Sequence, residues 1–243
     1  MQHTISPALR SVYQVFARNY SAKGTLQAVT GDLPRIAAMG FGWVYLTPVH
    51  CTGILGRKGT LGSPYAVRDY RSVDPSLGTM DDFLAFSKEA HRLGMRVMMD
   101  IVINHSSPDN VWVQQHPEYY LKNSDGSIGR KLDDWTDVAD FDYGCEALQQ
   151  GLVGMLLYWA DHGADGFRCD VASLVPLAFW KRARKAVNAG HPEFVWLAES
   201  VEPEFVRFMR NRGYECAGDS DLYQAFDVLY NYDIRAWFDR AAG

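Results

Sequence analysis

Three short apolar runs constrain this chain most: MMDIVINH closing at His105, GADGFRCD closing at Asp170, and FVWLAES around Glu199. Each is rich in apolar or β-branched residues and turns abruptly polar at its end. A buried strand has this pattern when its body fills a core and its C-terminal end opens into a site. Side chains alternate along a strand, so Arg168 and Asp170 face one way and Cys169 the other. Two carboxylates, Asp170 and Glu199, therefore close consecutive strands, with an arginine beside the first.

Strand-like and helix-like segments alternate around these runs. The pattern predicts strands at Ser11–Tyr20, Trp43–Val49, Met95–Asn104, Ala164–Asp170, Glu193–Ser200 and in the region Ala225–Ile234. Helices are predicted from Leu26 to Met39, from a capping start at Thr79 and Asp82 to Leu93, and over GLVGMLLYWADHG, PLAFWKRARKAVNAG and PEFVRFMRNRG. A Gly-rich loop is expected between Cys51 and Pro64. Alternating units with unbroken apolar strands predict an α/β fold, a parallel sheet covered by helices. One connection, His105 to Asp142, is too long for a plain crossover and reads as a small inserted domain. The expected division is a barrel domain over 1–104 and 143–243, with an insert over 105–142. Trp112, Tyr119, Tyr120 and Trp135 in the insert are candidates to wall a carbohydrate cleft, while most other aromatics read as core.

Composition narrows the partners. Net charge is −5 with no Lys/Arg block, which argues against nucleic acid or an anionic membrane. No apolar run reaches membrane-spanning length, and MQHTISPALR carries no cleavage signal, so a cytoplasmic protein is expected. The four cysteines show no metal-binding spacing and read as reduced thiols.

Hydrolysis of a glycosidic bond with retention needs an ionised nucleophile and a protonated acid about 5 Å apart, and Asp170 and Glu199 suit those roles. Arg168 is expected to hold Asp170 ionised by charge-assisted hydrogen bonding. The same strings resemble the α-amylase family, glycoside hydrolase family 13. MDIVINH is similar to its strand-three signature, with Asp100, Asn104 and His105 in place. GFRCD resembles the strand-four signature, LAES the strand-five signature, VADFDY the signature near the end of the inserted domain, and SPYAVRDY the segment bearing a stacking tyrosine.

The resemblance implies a (β/α)8 TIM-type barrel, about six βα units of it present, and a site acting on α-glucosidic bonds of α-glucans or maltooligosaccharides. It makes Asp170 the nucleophile, Glu199 the acid/base, and Tyr65, His105 and Arg168 substrate-binding residues. Asp100 reads as a scaffold carboxylate near Arg168. No cofactor is required; Asn104 is a candidate ligand of a structural Ca²⁺ or equally a structural cap, and no metal set can be assembled from the sequence.

Some features depart from the family pattern. A strand-seven His-Asp signature is absent, and Asp219, Asp221, Asp227 and Asp233 lack its context. Ser173 and Leu174 stand where a Lys-His pair often follows the nucleophile, and Gly62 weakens an exo-glucosidase reading. The ending at Gly243 is expected to reflect a longer enzyme. Alone, the chain would have little activity and could self-associate through open barrel edges. The rival readings are a transglycosylase of the same family and a non-catalytic carbohydrate-binding or structural member.

Overall fold

The structure is a computed structural model that describes residues 11–241. The MQHTISPALR segment and the end at Gly243 lie outside the described residues. Among the described residues ten strands occur in order: β1 (Val12–Val15), β2 (Trp43–Leu46), β3 (His50–Thr52), β4 (Val67–Val73), β5 (Arg96–Ile101), β6 (His105–Ser106), β7 (Ala139–Asp140), β8 (Gly166–Cys169), β9 (Val195–Ala198) and β10 (Val228–Leu229). Six of them form one sheet in the order β1-β2-β5-β8-β9-β10, every pair parallel. Helices Leu26–Ala38, Met80–Arg92, Glu146–Asp161, Leu177–Gly190 and Pro203–Asn211 connect these strands. This is the six-unit parallel arc of a (β/α) barrel.

Each strand sorts its side chains by alternation. Val44, Leu46, Val97, Met99, Ile101, Phe167, Cys169, Trp196 and Ala198 face outward into the main core against the helices. Trp43, Tyr45, Met98 and Leu197 face inward and fill the barrel. Gly166 is dictated by that filling: a Cβ there would come within 2.8 Å of the Val195 carbonyl and 3.1 Å of the Trp43 ring. The helix at Met80 starts with the expected capping box, Thr79 and Asp82 satisfying each other's backbone N–H groups.

Several expected elements differ. The first strand stops at Val15, and Ala17–Tyr20 forms a helical turn. The presumed loop after Cys51 begins inside a hairpin, β3 with β4, whose register shifts on both sides of Cys51. The 105–142 connection closes at its base through β6 and β7, which pair His105 with Asp140. Of the four candidate aromatics, Trp135 alone lines the cleft at the barrel mouth. Trp112 packs on Tyr70, and Tyr119 and Tyr120 are buried, because the insert needs its own apolar support. All four cysteines are free thiols. Among the described residues, no helix is long and apolar enough to cross a membrane.

His50 sits fully in this core, edge-on to Tyr70 and Trp159, with neither ring nitrogen hydrogen-bonded. Burial pushes its pKa down to about 4. Above pH 6.5 the folded and unfolded chains both carry it neutral. Between 6.5 and about 4 only the unfolded chain takes up the proton, so stability falls as the pH falls through that window. The full loss is roughly 3 kcal/mol. Denaturant titrations between pH 7 and 4 should therefore show a shallower acid loss for His50→Phe than for the native sequence; parallel curves would contradict this.

Candidate active site

The C-terminal ends of β5, β8 and β9 converge on one guanidinium. Arg168 Nη1 lies 3.0 Å from Asp100 Oδ1 and 2.8 Å from Asp170 Oδ1, and Nη2 lies 2.5 Å from Glu199 Oε1. The register explains this meeting: Asp100 pairs with Arg168, and Arg168 with Leu197, two residues before Glu199. The ladder continues past the strands, with the Asp170 N–H donating to Ile101 and the Glu199 N–H to Cys169. Tyr45, inward-facing on β2, donates to Asp100 Oδ2, and the Tyr65 hydroxyl joins it at 3.2 Å. The rings of Tyr65 and Tyr230 lie 5.9 and 5.5 Å from the Arg168 guanidinium carbon.

Three carboxylates thus share one cation in a largely dry site. Burial, with Asp100 and Glu199 nearby, pushes the Asp170 carboxyl well above the usual carboxylate range against the pull of Arg168. Burial raises Asp100 likewise, again opposed by Arg168. The neighbouring acids hold Arg168 protonated despite its burial. The expectation that Arg168 simply keeps Asp170 ionised therefore needs correction. The bond exists, but the guanidinium is divided among three acids, and burial outweighs its pull at Asp100 and Asp170.

Glu199 accepts at both oxygens: Oε2 from the Val171 backbone N–H at 2.9 Å, and Oε1 from Arg168 and from the Tyr232 hydroxyl at 3.1 Å. Val171, directly after Asp170, has φ of 36°, the one positive φ outside glycine among the described residues. A β-branched residue there is strained.

These groups open into a cleft of about 620 Å³, which Tyr65, His105 and Trp135 also line. Its rim is stitched across two loops: Lys58 donates to the Asp134 carbonyl at 3.0 Å and lies 3.4 Å from Asp137. His105 is edge-on to Trp135, and its Nδ1 faces the Asn104 amide nitrogen at 3.0 Å. Burial lowers the His105 pKa, which favours the neutral ring.

All five sequence candidates, Tyr65, His105, Arg168, Asp170 and Glu199, thus meet in one cleft. Asp227 instead pairs with Arg184 and Asp221 with Arg210, and the side chain of Asp233 lies outside the described residues. The sequence reading missed Tyr45, Tyr230, Tyr232, Lys58 and Lys131. Inward alternation from Trp43 could have found Tyr45; the lysines carry no local signal.

Asn104 is fully buried, but not in a ring of oxygens. Its Oδ1 accepts from the Lys131 ammonium at 2.8 Å, and its amide nitrogen donates to Asp140 at 3.1 Å. Among the described residues no group of three or more His, Cys, Asp or Glu is placed to hold a metal. These residues do not fit a calcium site, because a side-chain cation already occupies the Asn104 oxygen.

A parallel barrel arc with a carboxylate pair at its C-terminal mouth has the layout of a (β/α)-barrel enzyme, and comparison with known proteins specifies the family. Residues 14–135 match the model of the α-amylase catalytic domain. The chain belongs to the α-amylase family. It is 50% identical to an α-amylase from Lactobacillus plantarum (TM-score 0.92, covering 94% of this chain and 54% of that one). It is 42% identical to a maltogenic α-amylase from Thermotoga neapolitana (TM-score 0.81, 94% and 50% covered). An α-1,4-glucan:maltose-1-phosphate maltosyltransferase from Streptomyces coelicolor is 34% identical over 228 residues, 84% of this chain and 34% of that protein. The chain thus spans about a third of such curated relatives and about half of the solved chains.

Replacing Arg168 by Leu would leave buried Asp100 and Asp170 and half-buried Glu199 without their cation, at a cost of about 3–5 kcal/mol near pH 7. Protonation relieves the repulsion, so the deficit should shrink as pH falls toward 5. Urea unfolding of both proteins at the two pH values measures it, and a deficit that grows on acidification would refute the shared-cation account.

Proposed function

We propose that the protein cleaves α-glucosidic bonds of maltooligosaccharides or α-glucans with net retention, using Asp170 as nucleophile and Glu199 as acid/base. The observation that carries this reading is that the two carboxylates sit on neighbouring nitrogens of one guanidinium, at the open mouth of the barrel. That closeness suits direct attack by Asp170 on the anomeric carbon while Glu199 protonates the departing oxygen. Water, deprotonated by Glu199, then releases the sugar from Asp170. For attack Asp170 must be ionised, and for acid catalysis Glu199 must carry the proton it donates. Tyr65 would stack under the sugar at the cleavage point, and His105 would donate to a hydroxyl. The insert, 105–142, would supply one cleft wall through Trp135.

Transfer to a sugar acceptor is the second reading, and the maltosyltransferase relatives favour it. The lining of the cleft weighs against a sugar-phosphate donor. Its cations are Arg168, held by three acids, and Lys58, paired with Asp137, which leaves little positive charge for a phosphate leaving group. Among the described residues β1 and β10 are the edges of the sheet, and they are proposed pairing sites for further strands or a second copy.

In the intact protein Asp170→Asn should abolish turnover of every α-glucoside. Glu199→Gln should keep activity on substrates with good leaving groups, which need no proton, and lose it on maltooligosaccharides. Proton NMR of the first product should show the α-anomer. A β-anomer, or equal loss of both variants on an activated substrate, would sink the assignment.

A further inference from the structure

A buried cation joins the insert to the barrel beneath the cleft. Lys131, 8% exposed, sends its ammonium inward to Asn104 Oδ1 at 2.8 Å and to the Leu174 carbonyl at 3.3 Å, while its backbone N–H donates to Asp140 Oδ2 at 2.8 Å. Asp140 and Asn104 are fully buried. Leu174 belongs to the turn that follows Asp170, so one side chain spans the insert, the end of the third barrel strand and the nucleophile's own loop.

The chemistry of these donors fixes an orientation. An ammonium is donor-only, so Asn104 must present its oxygen to Lys131. Its NH2 group then faces Asp140 Oδ1 and His105 Nδ1. His105 Nδ1 must accept, so its proton resides on Nε2. A divalent ion at Asn104 would need six or more oxygens, whereas Lys131 supplies the positive charge that Asp140 faces and satisfies the Asn104 oxygen itself.

We propose that the Lys131 ammonium is the structural cation of this site, standing where a metal ion would otherwise bind, and that through the Asn104 amide it holds the His105 ring at the cleft with its proton on Nε2. Lys131 is a positioning residue, and only its effect on turnover rests on the proposed role of His105; the other readouts do not depend on it.

The test follows the His105 ring nitrogens by ¹⁵N NMR in the intact protein, the signal being assigned by its absence from His105→Gln. The native spectrum should report an unprotonated Nδ1 and a protonated Nε2. Chelation with EDTA followed by added Ca²⁺ should leave that signal in place. Lys131→Met should shift it, lower Tm, and reduce kcat/KM about tenfold through a rise in KM. A calcium-dependent shift of the His105 signal overturns the proposal, as does a Lys131→Met protein with native ring signals and KM. If that variant fails to fold, the native spectrum and calcium titration decide alone: a protonated Nδ1 is enough to reject it.

Discussion

The contact of one buried guanidinium with three carboxylates is the constraint on which the rest of this structure depends. Alone, each acid would resist burial, since a charge removed from water is costly unless paired and hydrogen-bonded. Arg168 makes the cluster tolerable only because β5, β8 and β9 hold Asp100, Asp170 and Glu199 at its nitrogens through parallel register. Trp43, Met98 and Leu197 pack together on the inward side of the same strands, and Tyr65 and Tyr230 flank the cation. Packing, register and charge therefore support one another, and loss of any one would release the other two.

The strands that build this cluster were legible because their two signals coincide: an unbroken apolar body, then an abrupt polar end. The positions of Arg168, Asp170 and Glu199 follow from alternation and strand order alone. The β3–β4 hairpin was not legible, because its first strand is three residues long and its bulged register at Cys51 erases the period. The overlong first strand came from aromatic residues that favour strands locally, while tertiary packing turns Ala17–Tyr20 into a helix. Trp112, Tyr119 and Tyr120 read as cleft residues because sequence cannot say which aromatics an insert keeps for its own interior.

Lys131 shows the limit most plainly. A lysine in a polar stretch reads as a solvated charge, and nothing within its neighbourhood says otherwise. Its partners are 27 residues earlier and 43 residues later, brought together only when the insert folds back through β6 and β7. The consequence for Asn104 is that the partner of its side-chain oxygen, an ammonium, is supplied by a residue outside the motif.

Val171 carries a different kind of consequence. Its left-handed backbone aims an N–H at Glu199 directly after Asp170, at a conformational cost that a glycine would not incur. A laboratory selection for heat resistance would thus be drawn to this position, since relaxing it removes strain. The same relaxation loosens the peptide that ties the two carboxylates together, so gains in robustness at Val171 would trade against the mutual placement of Asp170 and Glu199.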